Sequence, residues 1–349
     1  MAAGLAAGRA AGAGLAARAG GAARAGRAGG PGAPGGPGAP GGAGAGGARA
    51  EVAGARWETP VARLVRLRVA GAAGGGGAPA PAPAFAFRAG QSVEVRAPGG
   101  LRPVWLSVCS TPRQLRGEGT LDVLVRRSAH PAVEWLLGAG PASGAAELRV
   151  GGGVHATAAQ ARGPMLLVAG GVGVAPLSAI LRDAAERWLE RSGGGALGTP
   201  PLGPGPPAEV AAPAAAAPPP GAPAPPRGAG GGAGAPAGGF RATLLYAAEE
   251  PGEHALLGGL GEVVAATGGR VQVRRHVTAA AWEGREGTWG GEWGPVGREH
   301  LGRALGELQA GGEPATAFVC GPPAMADGAA EKLAGLGLPP ERIRLERWW

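Results

Sequence analysis

The residues of this chain best suited to chemistry lie in two glycine-centred turns. Gly170, Gly171, Val172, Gly173, Val174, Ala175 and Pro176 follow the apolar run Met165 to Ala169. A buried-type strand that enters a glycine turn and then a helix lets backbone N–H groups approach a pyrophosphate, whose charge the helix dipole favours. The second turn is Cys320, Gly321, Pro322, Pro323, Ala324 and Met325, after the strand-like residues Thr316 to Val319. Small and rigid residues there keep side chains out of a cleft, and ligands of open α/β sheets sit at such carboxyl ends of strands. No Gly-Lys-Ser/Thr follows the first turn, which excludes a P-loop, and its spacing is not GxGxxG. In a chain with 73 glycines, an ordinary strand-to-helix turn is the competing reading.

Cofactor choice is carried by Tyr246 to Glu250. An acid at the end of that strand, Glu249 above all, can accept from a ribose 2′-OH and repel a 2′-phosphate. No cluster of Arg or Lys follows, so NADH is favoured over NADPH; the alternative is that Glu249 and Glu250 are simply solvated. Cys109 and Cys320 are the two cysteines of the chain. They make no metal spacing, are too few for an iron–sulfur cluster, and suit a reducing compartment. Taken as a residue alone, Cys320 also fits a small buried packing residue of its strand. His130 and His155 share no spacing with other histidines and are expected at a turn and at the surface.

Two kinds of element must hold these residues. From residue 56 to about 155 the sequence reads as short strands of period two: Val61 to Val69, Ser92 to Arg96, Val104 to Cys109, Leu121 to Arg126 and Ala146 to Val150. Such a series predicts a small antiparallel barrel or sandwich, with a short helix or turn over His130 to Leu137. From 163 to 349 strands alternate with helices, beginning with Met165 to Ala169 and a helix from Pro176 to Arg191. That order predicts a doubly wound parallel sheet. A Gly/Pro/Ala tract over 193–239 interrupts it and is expected to be a disordered insert adding nothing to the core.

Residues 1–50 hold five arginines, no acid and no Ser or Thr. They have too little apolar mass to pack and are expected to be a low-complexity tract serving as a mitochondrial presequence, with chloroplast or cytoplasm less favoured; a tail with no address is the other reading. These arginines leave roughly +3 of the formal +8 for the rest of the chain, where no basic run interleaved with aromatics occurs. A nucleic-acid partner is therefore not expected, nor is a membrane span. Oligomeric state is left open.

The strand Leu106, Ser107, Val108, Cys109, Ser110, Thr111 and Pro112, the Gly170 to Pro176 turn, the Cys320 to Met325 turn and the terminal Glu346, Arg347, Trp348 and Trp349 together resemble the ferredoxin-NADP reductase superfamily. Their order resembles one group within it, thought to be mitochondrial, over about residues 56–349. The resemblance implies an antiparallel FAD-binding barrel followed by an NAD(P)-binding sheet. It implies that FAD lies on the strand holding Leu106, Ser107, Val108, Cys109 and Ser110, with Ser107 at flavin N5, Arg126 along the flavin, and Cys320 beside the nicotinamide as a positioning group. The superfamily stacks a tyrosine on the ring and holds the pyrophosphate with an arginine. Here Leu106 and Val104 take those positions, while Trp105 lies one residue out of register. Gly151, Gly152 and Gly153 are expected to supply backbone donors in place of the usual phosphate turn. The terminal aromatic, Trp349 with Trp348 beside it, covers the flavin face or else closes the core. The activity implied is NAD(P)H-dependent reduction of flavin, with electrons passed to an unknown acceptor. FMN, or a nucleotide-binding sensor or assembly protein with a decayed flavin site, is the alternative. A barrel-based interaction module would leave the Cys320 turn unexplained.

Overall fold

The computed structural model describes residues 47–72, 85–202, 239–279 and 289–348. Most of the N-terminal tract, most of the insert and Trp349 lie outside them. The first half is an antiparallel sheet of β1 (Ala48–Thr59), β2 (Ala62–Val69), β3 (Ser92–Arg96), β4 (Val104–Ser107), β5 (Thr120–Arg126) and β6 (Ala145–Val150), in the order β4-β3-β6-β1-β2-β5. Past the end of β4, Val108 bridges Val123 of β5 and so joins the two edge strands. Strand β1 starts at Ala48, inside the tract expected to remain unpacked and ahead of the expected barrel start at 56. Ala50 and Val52 are the reason, since both are buried in the barrel core. Two short helices join the strands, α1 (Pro112–Glu118) and α2 (Pro131–Gly138). Sequence reading missed α1, whose start is marked by the Thr111 cap, with Oγ1 accepting from the Gln114 amide, and by Pro112 in its first turn.

Period two decides which side chains enter the barrel. Val65, Leu67 and Val69 of β2 and Leu121, Val123 and Val125 of β5 point inward. The outward residues Leu64 and Leu124 are buried as well, because the second half of the chain packs on them. Asp122, also on that outer face, is held by Arg66 through two hydrogen bonds of 2.7 and 2.8 Å.

The same alternation corrects the expectation for β4. Val93, a core residue of β3, pairs with Leu106, and Ser92 pairs with Ser107. Leu106 therefore faces the barrel core, where it is buried, whereas Trp105 stands 41 % exposed on the outer face that Ser107 shares. Val108 is also a barrel core residue. Leu106 and Val108 thus contribute packing and offer no side chain to a cofactor. Leu106→Tyr is expected to overpack the barrel and cost about 1–3 kcal/mol. Urea unfolding measures it, and a variant as stable as the parent would mean that this side chain points outward after all.

The second half is a parallel sheet of β7 (Pro164–Gly170), β8 (Arg241–Ala248), β9 (Val271–Val277), β10 (Glu292–Trp293), β11 (Thr316–Gly321) and β12 (Ile343–Arg347), in the order β10-β9-β8-β7-β11-β12. Central β7 is buried on both faces. Met165, Leu167 and Ala169 pack on the side of α3 (Val174–Arg191) and α4 (Leu257–Ala266), and Leu166 and Val168 on the side of α5 (Arg298–Gln309) and α6 (Pro323–Gly335). The order reverses between β7 and β11, so the crevice of this sheet opens beyond their carboxyl ends.

The start of the insert is packed, contrary to expectation. Leu197 and Leu202 lie against the core shared by the two halves. Three arginines hold the intervening carbonyls: Arg66 donates to Pro200 at 2.9 Å, Arg56 to Pro201 and Arg182 to Gly198. Carbonyl groups of a Gly/Pro segment are strong acceptors whatever its side chains, which composition does not reveal.

Candidate functional site

The two glycine turns meet at the sheet's switch point. Gly170 closes β7 and the half-buried Gly171 follows with φ +53°, a conformation that disfavours side chains, with open space where a Cβ would stand. Val172 is half-buried, and Val174 opens α3 with Pro176 in its first turn. No side chain caps α3, but the 3-10 turn Gly171–Gly173 runs straight into it, takes up the Val174 amide, and Pro176 has no N–H, so donors for a ligand have to come from the glycine turn ahead of the helix. Gly173 is pressed against the other motif: a Cβ there would lie 2.3 Å from the Cys320 carbonyl oxygen. Gly170 and Gly321 meet under Met325, whose sulfur a Cβ on Gly170 would approach to 2.6 Å, with Pro322 beside it.

Cys320 is fully buried in β11, directly paired with Glu346 of β12. Burial pushes its thiol well up, and the Glu346 carboxylate pushes the same way, which favours the neutral thiol. Trp348 packs beside it, tied by its own amide to the Gly321 carbonyl at 2.9 Å. The indole N–H of Trp348 lies buried near Cys320 and Glu346 without reaching ordinary hydrogen-bond geometry to either. The aromatic that the structure places at Cys320 is thus the penultimate residue, while Trp349 lies outside the described residues.

Sequence reading named Glu346 as part of the terminal motif and gave it no role. Its Oε2 accepts from the Val154 amide at 2.7 Å, tying the last strand to the segment that leaves the barrel. The signal was present in the strand register, since Glu346 and Trp348 are two apart and share a face. Burial raises the Glu346 carboxyl. Between the ordinary value of 4.5 and that raised value, the folded chain holds a proton that the unfolded chain has released. Stability from this group is full below the ordinary value and is lost as pH rises through the native one. Glu346→Gln keeps an acceptor for Val154, and is expected to abolish that part of the slope. Urea unfolding of both proteins across this range checks it, and parallel curves would refute the assignment.

On the barrel side, Ser107 faces outward but is largely covered. Arg126 ends β5 exposed, near enough to Glu253 to steady its carboxylate. The glycine turn is only partly free: the Gly151 amide is committed to Ser92 at 2.8 Å, while those of Gly152 and Gly153 have no acceptor among the described residues. Trp105 lies over Gly151, where a Cβ would meet its ring. Cys109 and Ser110 are bonded to β5. The Cys109 amide donates to the Asp122 carbonyl at 2.9 Å and Ser110 Oγ accepts from the Asp122 amide at 2.9 Å, which stitches the barrel shut. Both line a pocket between the two halves with Leu64, Ser178 and Leu256. Glu249 stands exposed just beyond β8, two residues past the partner of Gly170.

A six-stranded antiparallel barrel carrying a parallel sheet, with two glycine turns at its switch point, is the two-domain fold of the ferredoxin-NADP reductase-like proteins. Among solved structures the chain is similar to the flavohem-like FAD/NAD-binding domain of nitric oxide dioxygenase from Vibrio cholerae, with TM-score 0.55 and 16 % identity over 86 % of this chain and 98 % of that one. It is also similar to the cytochrome b5 reductase domain of Ulva prolifera nitrate reductase, with TM-score 0.54 and 14 % identity over 84 % and 94 %.

In sequence the chain is similar to Oxidoreductase NAD-binding domain-containing protein 1. The Xenopus laevis protein is 26 % identical over 310 residues, 86 % of this chain and 79 % of the relative. That of Pongo abelii is 33 % identical over 145 residues, 41 % and 43 % of the two. No protein-family profile matches the chain. Among the described residues no helix is long and apolar enough to cross a membrane.

Proposed function

We propose that the protein is an NAD(P)H-dependent flavin oxidoreductase that takes a hydride from NADH and passes electrons to a separate acceptor. The observation that carries this reading is the meeting of the Gly170–Gly173 turn, which has room over Gly171, and the Cys320–Trp348 pair at one switch point. The residues suit a dinucleotide: the Gly171–Gly173 turn ahead of α3 would face the pyrophosphate, with the helix dipole behind it, and Glu249 would receive a ribose hydroxyl. Trp348 shields Cys320 from water until the nicotinamide ring takes its place, and the buried thiol then sets where that ring lies.

The barrel face suits a flavin in part. Ser107, Arg126 and the free amides of Gly152 and Gly153 would hold it, and Trp105 is the aromatic on that face, since Leu106 points inward. Bound FAD supplies the acceptance of a hydride and its release as single electrons or pairs. The Arg-rich, acid-free residues 1–50 support a mitochondrial address.

The test is the visible spectrum of the full chain, followed by anaerobic stopped-flow mixing with NADH and with NADPH. A flavin spectrum bleached by NADH is expected, with Glu249→Ser/Glu250→Arg shifting preference toward NADPH. The inward Leu106 favours a second reading, a nicotinamide-nucleotide sensor. Colourless protein that takes up no FAD yet binds NADH would establish that reading in place of the first.

A further inference from the structure

At the far end of the parallel sheet, His276, Glu292 and His300 bring three potential ligand atoms within 4.8 Å of one another. They come from three elements: His276 from the end of β9, Glu292 from β10, and His300 from the first turn of α5. Glu292 pairs directly with His276 across the parallel ladder. The two imidazole rings are 4.7 Å apart, edge to face.

His276 is the unexplained member. It is fully buried, and neither ring nitrogen has a hydrogen-bond partner among the described residues; the Gly294 backbone lies beside the ring without reaching bonding geometry. Buried polar atoms are paired as a rule, and an orphaned imidazole facing a second imidazole and a carboxylate asks for a ligand. We infer that His276, Glu292 and His300 form a binding site for a divalent cation of the zinc type, linking the β9–β10 edge to α5.

Two imidazole nitrogens and one carboxylate oxygen suit such a borderline cation, with water in the fourth position, whereas calcium and magnesium call for oxygen donors. Ligand atoms around zinc stand roughly 3.4 Å apart for bonds near 2.1 Å, so the three groups need to close only slightly. Without the cation, His300 Nε2 lies 3.1 Å from Glu292 Oε2, and Arg303 donates to the same oxygen at 2.8 Å. His300 Nδ1 accepts from the Gly297 amide at 2.9 Å. A cation at Nε2 moves the ring proton to Nδ1, so the Gly297 hydrogen bond is given up and Arg303 is turned away. Both exchanges oppose binding, and they make Arg303 a diagnostic.

The test titrates chelator-treated full-length protein with zinc chloride by calorimetry and follows the melting temperature. One zinc per chain and a raised melting temperature are expected. His300→Gln and Glu292→Gln should each weaken binding roughly tenfold or more, and Arg303→Ala should tighten it. His276→Ala should abolish binding; because this residue is in the core, the outer variants carry the test if it does not fold. Absence of binding, or the parent affinity in both His300→Gln and Glu292→Gln, would overturn the inference.

Discussion

Gly173→Ala is expected to damage this protein more than any other single methyl addition at the glycine turns. The new Cβ would lie 2.3 Å from the Cys320 carbonyl oxygen, 2.6 Å from its carbon and 2.9 Å from the Gly321 nitrogen. All three are backbone atoms of a central strand, so no side chain can swing aside. Either the first turn of α3 lifts from β11 or the strand end is displaced, and each disrupts the junction on which the site is built. Overpacking in cores costs about 1–3 kcal/mol, and a rigid backbone contact belongs at or above the top of that range. The control is Gly171→Ala, where nothing lies within 4 Å but φ is +53°. Its cost is the backbone penalty alone, about 1–2 kcal/mol. Urea unfolding and NADH titration of both variants separate the effects. Equal losses would mean that the α3 start does not touch β11 as closely as the structure places it.

Cys320→Ala should do the opposite, sparing the fold and slowing the reaction. Removing one sulfur from a buried site leaves a small cavity, costing on the order of 1 kcal/mol. Under the proposed function, the thiol and Trp348 together define where the nicotinamide ring settles. A displacement of about 1 Å can cost roughly a hundredfold in rate. Stopped-flow flavin reduction at saturating NADH should therefore fall by one to two orders of magnitude, roughly, with binding little changed. Unaltered reduction together with a loss of several kcal/mol would make Cys320 a packing residue only.

The Glu346 result bears on the same junction from the other side. Glu346 ties β12 to Val154, and Gly173 ties α3 to β11, so the crevice is bounded by contacts between segments far apart in the chain. Neither contact needs an unusual residue. What matters is that a carboxylate and a glycine occur at the registers where three strands and a helix converge.

The amino-acid sequence by itself determined the two architectures and their order. Alternating apolar residues from Val61 to Val150 could only be satisfied by short strands with an inner and an outer face. The continuous apolar runs Met165 to Ala169 and Ala317 to Val319 required strands covered on both sides. It also located the two turns, because each glycine cluster follows a continuous apolar run and precedes a helix-like segment.

Tertiary structure alone decided which face each side chain takes and what covers it. Leu106 and Trp105 differ by one position in a strand, and only the pairing of Val93 with Leu106 shows that leucine points inward and tryptophan outward. The start of β1 at Ala48 and the packing of Leu197 and Leu202 arise where locally featureless Ala, Gly and Pro segments meet a surface built by distant residues. The His276, Glu292 and His300 cluster has no spacing to read, since its members converge only once β10 pairs with β9 and α5 starts beside them. Periodicity along the chain reports the faces of an element, but the partners of a face are chosen by contacts that close over long separations, and those exist only in the folded molecule.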